Sequence, residues 1–369
     1  MRELKKKKMS GDSEEEREYY GNGDGELWER GALLGRGSFG SVFVATLKKP
    51  SHRFSAFPSV MAVKSAEISL SITLQEEREA FDNVQGCPYV IHYFGEDITT
   101  QKNGELVYNL FLEYASGGTL KDSILNTYSG SGFGLPENDV KRYTKAIVKG
   151  LNHIHRCGYV HCDIKPENVL LVSVSTTTDH FVAKIGDLGL AKRSGQMMDL
   201  RGTPLYMAPE TVISSLQQLP SDIWAFGCVV CEMLTGKSPW DRGKYMDTND
   251  IFSLIADENE FPTIPSRIST QARAFLKACL VRKHRFRFTA AMLMDHPFLE
   301  GADEADDEQL LAVSGTDYCS SSLPYDDDDL GELPVRRSHE NVPVLGQKRK
   351  RVTCPSWNCP ISTMPAVGA

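Results

Sequence analysis

Short apolar runs rich in β-branched residues mark the first third of the chain, from Trp28 to about Leu112. They cover residues 41–45, 60–63 and 107–112, and they surround one stretch, residues 74–84, whose apolar positions recur every three or four residues. Runs of the first kind are typical of strands, and the second spacing is typical of a helix. The pattern predicts a small, mostly antiparallel sheet with one main helix.

Beyond residue 113 the spacing of apolar positions becomes helical in most stretches. It is helical over residues 140–155, 222–234, 251–255, 270–279 and 290–294. We therefore predict a second lobe that is larger and mostly α-helical. The expected fold class is α+β with two lobes, a small one over residues 27–112 and a large one over residues 113–300.

Charged residues without apolar periodicity occupy both ends of the sequence. Residues 1–26 alternate a basic run with an acidic one and end in glycines, which predicts a disordered leader. Residues 301–369 are predicted to form a disordered tail. Within the tail, the acidic run 326–329 either folds back on a basic surface or keeps the tail extended. The basic run 348–351 is either a nuclear import signal or a solvated charge run.

Composition places the 369-residue chain among soluble globular proteins, with 41% hydrophobic and 24% charged residues. Its net charge of -8 disfavours polyanions, so nucleic acid is not an expected partner. No apolar run is long enough to cross a bilayer, which predicts no membrane insertion and a location in the cytoplasm, the nucleus or both. Nine cysteines, an odd number, favour reduced thiols over a disulfide framework or a zinc site.

Residues 35–42 read GRGSFGSV and fit the pattern GxGxxGxV. Glycines at these positions let the backbone approach phosphate groups, and Val42 is placed to cover an adenine ring. The alternative is a glycine-rich hairpin that binds no ligand. A dinucleotide-binding loop would need a helix directly after it, whereas the run that follows is a predicted strand.

Lys64 ends the apolar run MAVK, and a lysine that points inward from such a strand needs an anion. Three glutamates on the predicted helix compete for this role, namely Glu76, Glu77 and Glu79. Glu77 shares a helical face with the apolar residues that follow it, so we favour Glu77. The alternative is that all three are solvated surface charges.

The most specific pattern is HCDIKPEN at residues 161–168, followed after a short strand by DLG at residues 187–189 and by APE at residues 208–210. Together with the glycine-rich loop and Lys64, and in this order, these motifs resemble those of the eukaryotic protein kinases. Five ordered motifs are hard to obtain by chance. The resemblance implies a two-lobed protein kinase fold over residues 27–300.

The resemblance also implies a role for each charged motif residue in phosphoryl transfer from ATP. Asp163 would orient the substrate hydroxyl and accept its proton, and Lys165 would meet the γ-phosphate. Asn168 and Asp187 would supply oxygen ligands to Mg. Lys64, fixed by Glu77, would hold the α- and β-phosphates.

For the nucleotide, the resemblance places Leu112 at the position before the hinge between the lobes. Backbone groups of the hinge would bind adenine. The implied nucleotide-contacting residues are Leu34, Gly35, Arg36, Gly37, Ser38, Phe39, Gly40, Ser41, Val42, Ala62, Lys64, Glu77, Glu113 and Ala115.

Lys165 and the sequence GTPLYMAPE at residues 202–210 resemble serine/threonine kinases and not tyrosine kinases. Thr203 would lie near Asp163, Asp222 would support the catalytic loop, and Arg287 would pair with the Glu of APE. With WERG at 28–31 and NLFLEYASGGTL at 109–120, the chain is similar to plant mitogen-activated protein (MAP) kinase kinase kinases of the MEKK type. Such kinases phosphorylate MAP kinase kinases on Ser/Thr in stress or hormone signalling.

Two positions depart from the common kinase pattern. Cys162 stands where many kinases carry an Arg that pairs with a phosphorylated activation loop, which suggests control by binding or by protein amount. Leu188 replaces a Phe and keeps an apolar side chain behind Asp187.

Two other functions compete with that of an active protein kinase. A pseudokinase scaffold is disfavoured because Lys64, Asp163 and Asp187 are all present, and a small-molecule phosphotransferase is disfavoured by GTPLYMAPE.

Overall fold

The computed structural model describes residues 25–37, 40–48, 57–173, 180–196, 200–243 and 246–302. The predicted leader and tail therefore fall almost entirely outside the described residues. So do Ser38 and Phe39 of the glycine-rich loop.

The smaller lobe is built on a five-stranded antiparallel sheet in the order β1-β2-β3-β5-β4. Its strands are β1 (Trp28–Gly37), β2 (Gly40–Leu47), β3 (Val60–Glu67), β4 (Tyr93–Thr100) and β5 (Leu106–Leu112). The predicted sheet is confirmed, with two strands that the apolar runs did not reveal. β1 is largely exposed and β4 is a mostly polar edge strand, so neither carries an apolar run.

The two faces of this sheet pack differently. Helix α1 (Ile72–Val84) covers one face with a buried stripe that includes Leu74, Phe81 and Val84. On the other face Trp28 is fully buried, and its ring meets Phe111 edge-on with centroids 5.1 Å apart. Since both faces are anchored, β3 is held as a rigid element between them.

The larger lobe is mostly helical, as predicted. Its helices are α2 (Leu120–Ser131), α3 (Glu137–Arg156), α4 (Pro209–Ser214), α5 (Leu219–Thr235), α6 (Thr248–Ala256), α7 (Thr270–Cys279) and α8 (Ala290–Met294). α5 is buried over almost its whole length, because most of its residues are apolar and α3 and α7 pack against it. It forms the centre of this lobe.

Helix α2 was missed by the apolar spacing because only Leu120 and Ile124 are buried on it. A different pattern marks it. The Thr119 hydroxyl accepts a hydrogen bond from the backbone of Asp122, whose carboxylate in turn accepts from the backbone of Thr119. This capping box fixes the start of the helix directly after the hinge.

Four short strands support the catalytic loop between the lobes. They are β6 (Tyr159–Val160), β7 (Val169–Ser173), β8 (Phe181–Ile185) and β9 (Lys192–Arg193). β6 pairs with β9, and β7 pairs with β8. Residues 161–168 therefore leave one strand pair and enter the other, which fixes both ends of the loop.

Cys228 and Cys231 are separated by two residues, the spacing of many redox and zinc pairs. Both thiols lie buried inside α5 and are free, so the two cysteines pack as core residues. Burial raises the pKa of Cys231 to about 12, which keeps its thiol protonated.

Within the described parts of the chain, no helix has the length and apolar character needed to span a membrane.

A buried ion pair joins the first turn of α4 to the end of the lobe. Arg287 donates to both oxygens of Glu210, over 2.7 Å to Oε1 and 3.0 Å to Oε2. Its guanidinium also stacks over Trp224 at 5.2 Å from the ring centroid. The expected Glu210–Arg287 pairing is present, and it ties α4, α5 and the region before α8 together.

We expect Arg287→Ala to destabilise the protein strongly, because Glu210 is left as a buried charge without its partner. Removing one member of a buried ion pair costs about 3–5 kcal/mol, so the Tm in scanning fluorimetry should fall by roughly 10 °C. Arg285→Ala, at an exposed position two residues away, is the matched control. Equal Tm values for the two variants would show that the ion pair does not stabilise the lobe.

Candidate active site

Lys64 lies at the centre of a buried cluster of opposite charges. Its Nζ is 2.7 Å from Oε2 of Glu77 and 2.9 Å from Oδ1 of Asp187. Glu77 is fully buried on α1, whereas Glu76 and Glu79 are exposed. The helical spacing therefore predicted correctly which glutamate pairs with Lys64. The alternative, in which all three glutamates are solvated surface charges, is wrong for Glu77.

These contacts set the protonation states in the cluster. Burial opposes the charge on Lys64, but Glu77 and Asp187 outweigh it and hold the pKa of the lysine above its ordinary value. Burial also opposes the charge on Asp187, and the ammonium of Lys64 overcomes it and lowers the pKa of that carboxyl. The lysine is therefore a fixed cation and Asp187 a fixed anion at neutral pH.

The buried carboxylate of Asp222 holds the catalytic loop, residues 161–168, in place. The backbone amides of His161 and Cys162 donate to its two oxygens over 2.8 and 3.0 Å, and the ring of His155 lies 2.9 Å from Oδ2. Cys162 has a φ of 69°, in the left-handed region that non-glycine residues rarely adopt. This backbone conformation directs the next residue, Asp163, into the site.

Asp163 sits in a network of four polar side chains. Its Oδ2 is 2.8 Å from Nζ of Lys165 and accepts a 3.0 Å hydrogen bond from Nδ2 of Asn168. Its Oδ1 accepts a 2.7 Å hydrogen bond from Thr203. Lys165 also donates to the Thr203 hydroxyl over 3.0 Å. The carboxylate is oriented from several sides, as a group that receives a proton must be.

Asn168 and Asp187 present oxygen atoms that suit a hard cation. The amide nitrogen of Asn168 is engaged with Asp163, which leaves the amide oxygen as the atom available for a ligand. The Asp187 side chain is 36% exposed even though Lys64 holds one of its oxygens. Carboxylate and amide oxygens are the ligands that Mg²⁺ prefers, so these residues fit such an ion.

The glycine-rich loop connects β1 to β2 as an antiparallel hairpin in which Gly37 pairs with Gly40. At Gly40, φ is 141°, and a Cβ would lie 2.5 Å from the carbonyl oxygen of Ser65. A side chain at Gly35 would meet no atom within 4 Å, so that position is open. Because a strand and not a helix follows the loop, the dinucleotide-binding alternative is wrong.

The remaining candidates for nucleotide contact lie on the first three strands. Leu34 and Arg36 are exposed on β1, Ser41 is buried and Val42 half-buried on β2, and Ala62 is buried on β3. Val42 and Ala62 pack against the same apolar cluster as Leu112 and Ala115. The structure thus brings apolar side chains from the sheet together with the hinge.

The hinge begins at Glu113, whose backbone amide donates to the carbonyl of His92 over 2.8 Å. Its carboxylate lies 2.7 Å from Nζ of Lys184 and accepts from the backbone of His92. Lys184, a buried residue of β8, was missed from the sequence. The signal was present, because FVAKI places a lysine inside an apolar strand just as MAVK does.

The segment after DLG packs directly on the catalytic loop. Gly202 has a φ of 110°, and a Cβ there would lie 2.3 Å from the carbonyl oxygen of Cys162. Gln217 bridges the two segments by donating to the carbonyls of Cys162 and Arg201. Only glycine permits this approach, which places Thr203 against Asp163.

Cys162 stands at the position where many kinases carry an arginine. Its thiol is buried and lies 3.5 Å from the carbonyl oxygen of Val160. Burial, reinforced by the carboxylate of Asp222, raises the pKa of this thiol well above its ordinary value, so it stays protonated. This side chain offers no positive charge to a phosphate. That control rests on binding or protein amount stays a prediction.

Residues 28–299 match the family model described as a protein kinase domain. The chain belongs to the protein kinase family. The expected two-lobed protein kinase fold is confirmed, and the protein is an ATP-dependent transferase that acts on protein Ser/Thr.

Curated relatives refine the type of kinase. The chain is 37% identical over 313 residues to mitogen-activated protein kinase kinase kinase 20 of Arabidopsis thaliana, covering 82% of this chain and 88% of the relative. It is 38% identical over 275 residues to kinase kinase kinase 17 of the same plant, covering 74% and 69%. It is 40% identical over 279 residues to kinase kinase kinase 18, covering 74% and 77%. The predicted resemblance to plant MAP kinase kinase kinases is confirmed.

Thr203→Val tests the hydroxyl that Lys165 and Asp163 share, while keeping the side-chain volume. A hydrogen bond to a charged group contributes about 1.5–3 kcal/mol, so we expect kcat for peptide phosphorylation to fall roughly 10- to 100-fold. Thr203→Ser, which restores the hydroxyl, should retain most of the activity. If the Val and Ser variants had the same kcat, the hydroxyl would have no part in positioning Asp163.

Proposed function

We propose that this kinase phosphorylates MAP kinase kinases on Ser or Thr. The observation that carries the Ser/Thr preference is the Thr203 hydroxyl held between Lys165 and Asp163. The substrate class is supported by the names of the relatives, which are MAP kinase kinase kinases at 37–40% identity. A place in plant stress or hormone signalling, in the cytoplasm, the nucleus or both, is part of the same proposal.

In this proposal Asp163 orients the acceptor hydroxyl and receives its proton. The carboxylate suits that step because its partners fix its direction, and it lies in the loop that Asp222 supports. Lys165, 2.8 Å from Asp163, would stabilise the charge on the γ-phosphate as it moves to the hydroxyl. Positioning and charge neutralisation account for most of the rate in such reactions.

Protein kinases use ATP and Mg²⁺, and the residues present fit both. Asn168 and Asp187 would hold magnesium, which when bound neutralises charge between the phosphates. Lys64, held by Glu77 and Asp187, would contact the α- and β-phosphates. The glycine-rich hairpin, from Leu34 to Val42, would cover the phosphates, and backbone groups of Glu113 and Ala115 would bind adenine.

The direct test is transfer of radiolabelled phosphate from ATP and Mg²⁺ to a panel of kinase-dead MAP kinase kinases. We expect wild-type enzyme to label at least one of them. Asp163→Asn should remain folded, because it leaves the core and the ion pairs of Lys64 intact. Lys64→Met should lower the Tm, because Glu77 is left as a buried carboxylate without its partner. Each variant should lose transfer by at least about 100-fold. Circular dichroism and Tm check the folding of both variants.

The outcomes separate the competing functions. Label that appears with wild type and disappears with Asp163→Asn establishes both the activity and the substrate class. Wild-type activity in either variant would overturn the assigned roles. If wild type and Asp163→Asn were equally silent while ATP still bound, the pseudokinase scaffold would be favoured.

A further inference from the structure

Four polar side chains form a second cluster beside the catalytic loop, separate from the groups described above. They are Lys121 in the first turn of α2, Glu167 in the catalytic loop, Tyr206 in the turn after Thr203, and Glu232 near the end of α5. We call them the Lys121 cluster. Four segments far apart in sequence thus converge on one place.

Lys121 is the only lysine or arginine in this cluster, and it faces two carboxylates. Its Nζ lies 2.5 Å from Oε1 of Glu232 and 3.9 Å from Oε1 of Glu167. The Tyr206 hydroxyl donates to the other oxygen of Glu232 over 2.6 Å. The Glu232 side chain is 1% exposed, whereas that of Glu167 is 45% exposed. The cluster therefore contains one buried carboxylate, that of Glu232, and one carboxylate open to solvent, that of Glu167.

The cluster borders the path that a protein substrate must take. The acceptor hydroxyl has to reach Asp163, and an extended peptide advances roughly 3.3 Å per residue on either side of it. Glu167 follows Lys165 by two positions, and the Lys165 ammonium is only 2.8 Å from Asp163. A substrate side chain two or three residues from the acceptor is consequently within reach of Glu167.

Two carboxylates at such a place would attract a substrate Arg or Lys, because charge-assisted hydrogen bonds to carboxylates are strong. The kinase supplies this cation itself. The Lys121 side chain is 27% exposed and lies against Glu232, so its ammonium takes the place that a substrate cation would need. The capping box of Thr119 and Asp122 fixes the first turn of α2 and with it the direction of Lys121.

We propose that Lys121 determines substrate specificity by filling an acidic subsite. The enzyme then selects Ser/Thr segments that carry no basic residue two or three positions from the acceptor on the side of Glu167. This inference rests on the protein kinase activity and narrows the class of segment within the proposed substrates. A purely structural tie between α2 and α5 is the competing explanation.

The test is a positional-scanning peptide library with a fixed Ser/Thr acceptor, in which each flanking position in turn is Arg, Lys, Ala or Glu. The full-length enzyme is compared with Lys121→Ala and with Lys121→Arg. Wild type should show no preference for Arg over Ala near the acceptor. Lys121→Ala should raise the Arg-to-Ala rate ratio roughly tenfold at one or two adjacent positions, as expected for a new hydrogen bond to a charged group. Lys121→Arg keeps the charge and should keep the wild-type profile.

Lys121→Met retains the apolar stem of the side chain and guards against a folding defect in Lys121→Ala. It should show the same direction of change in the rate ratios. Its Tm should fall as that of Lys121→Ala does, because Glu232 loses its cation in both variants, and both are assayed well below that Tm. Lys237→Ala is the matched control, because Lys237 is exposed and its ion pair with Asp241 is long, at 3.8 Å. It should leave the rate ratios unchanged.

A fall in all library rates by one common factor, with an unchanged Arg-to-Ala ratio in both the Ala and Met variants, would overturn the proposal and leave a structural tie. A wild-type preference for Arg at these positions would also overturn it. The readout is a ratio measured on peptides. Failure to phosphorylate MAP kinase kinases in the transfer assay would therefore refute the proposed substrate without altering this result.

Discussion

One buried carboxylate, that of Asp222, constrains the active site more than any other group. A charge at 2% exposure is tolerated only when hydrogen bonds replace its lost water. Its partners are the backbone of His161, the backbone of Cys162 and the ring of His155. The loop cannot move without leaving that charge unsatisfied, so Cys162 is kept in a left-handed conformation and Asp163 is kept in the site.

The same physical rule operates at the other junctions of the molecule. Lys64 joins the helix of the small lobe to Asp187 of the large lobe, and Arg287 joins α4 to the end of the domain. In each case a buried charge is satisfied by residues that are distant in sequence. Apolar packing builds the two lobes, and these few ion pairs fix the positions of the segments that join them.

Local patterns were enough to predict the motifs, most of the helices and the choice of Glu77. That choice succeeded because helical periodicity reports burial, and burial decided which glutamate met Lys64. The partnership of Lys184 with Glu113 needed knowledge of which strands lie beside the hinge, and sequence spacing does not contain it. Helix α2 was missed for a different reason, since its stability comes from a capping box more than from an apolar face.

The Glu113–Lys184 ion pair links the start of the hinge to β8, three residues before Asp187. Replacement of Lys184 would leave the Glu113 carboxylate with only the backbone amide of His92 among these two partners, and would loosen the placement of the hinge backbone. A substitution at Lys184 can therefore alter the nucleotide site from a position that lies outside the hinge itself.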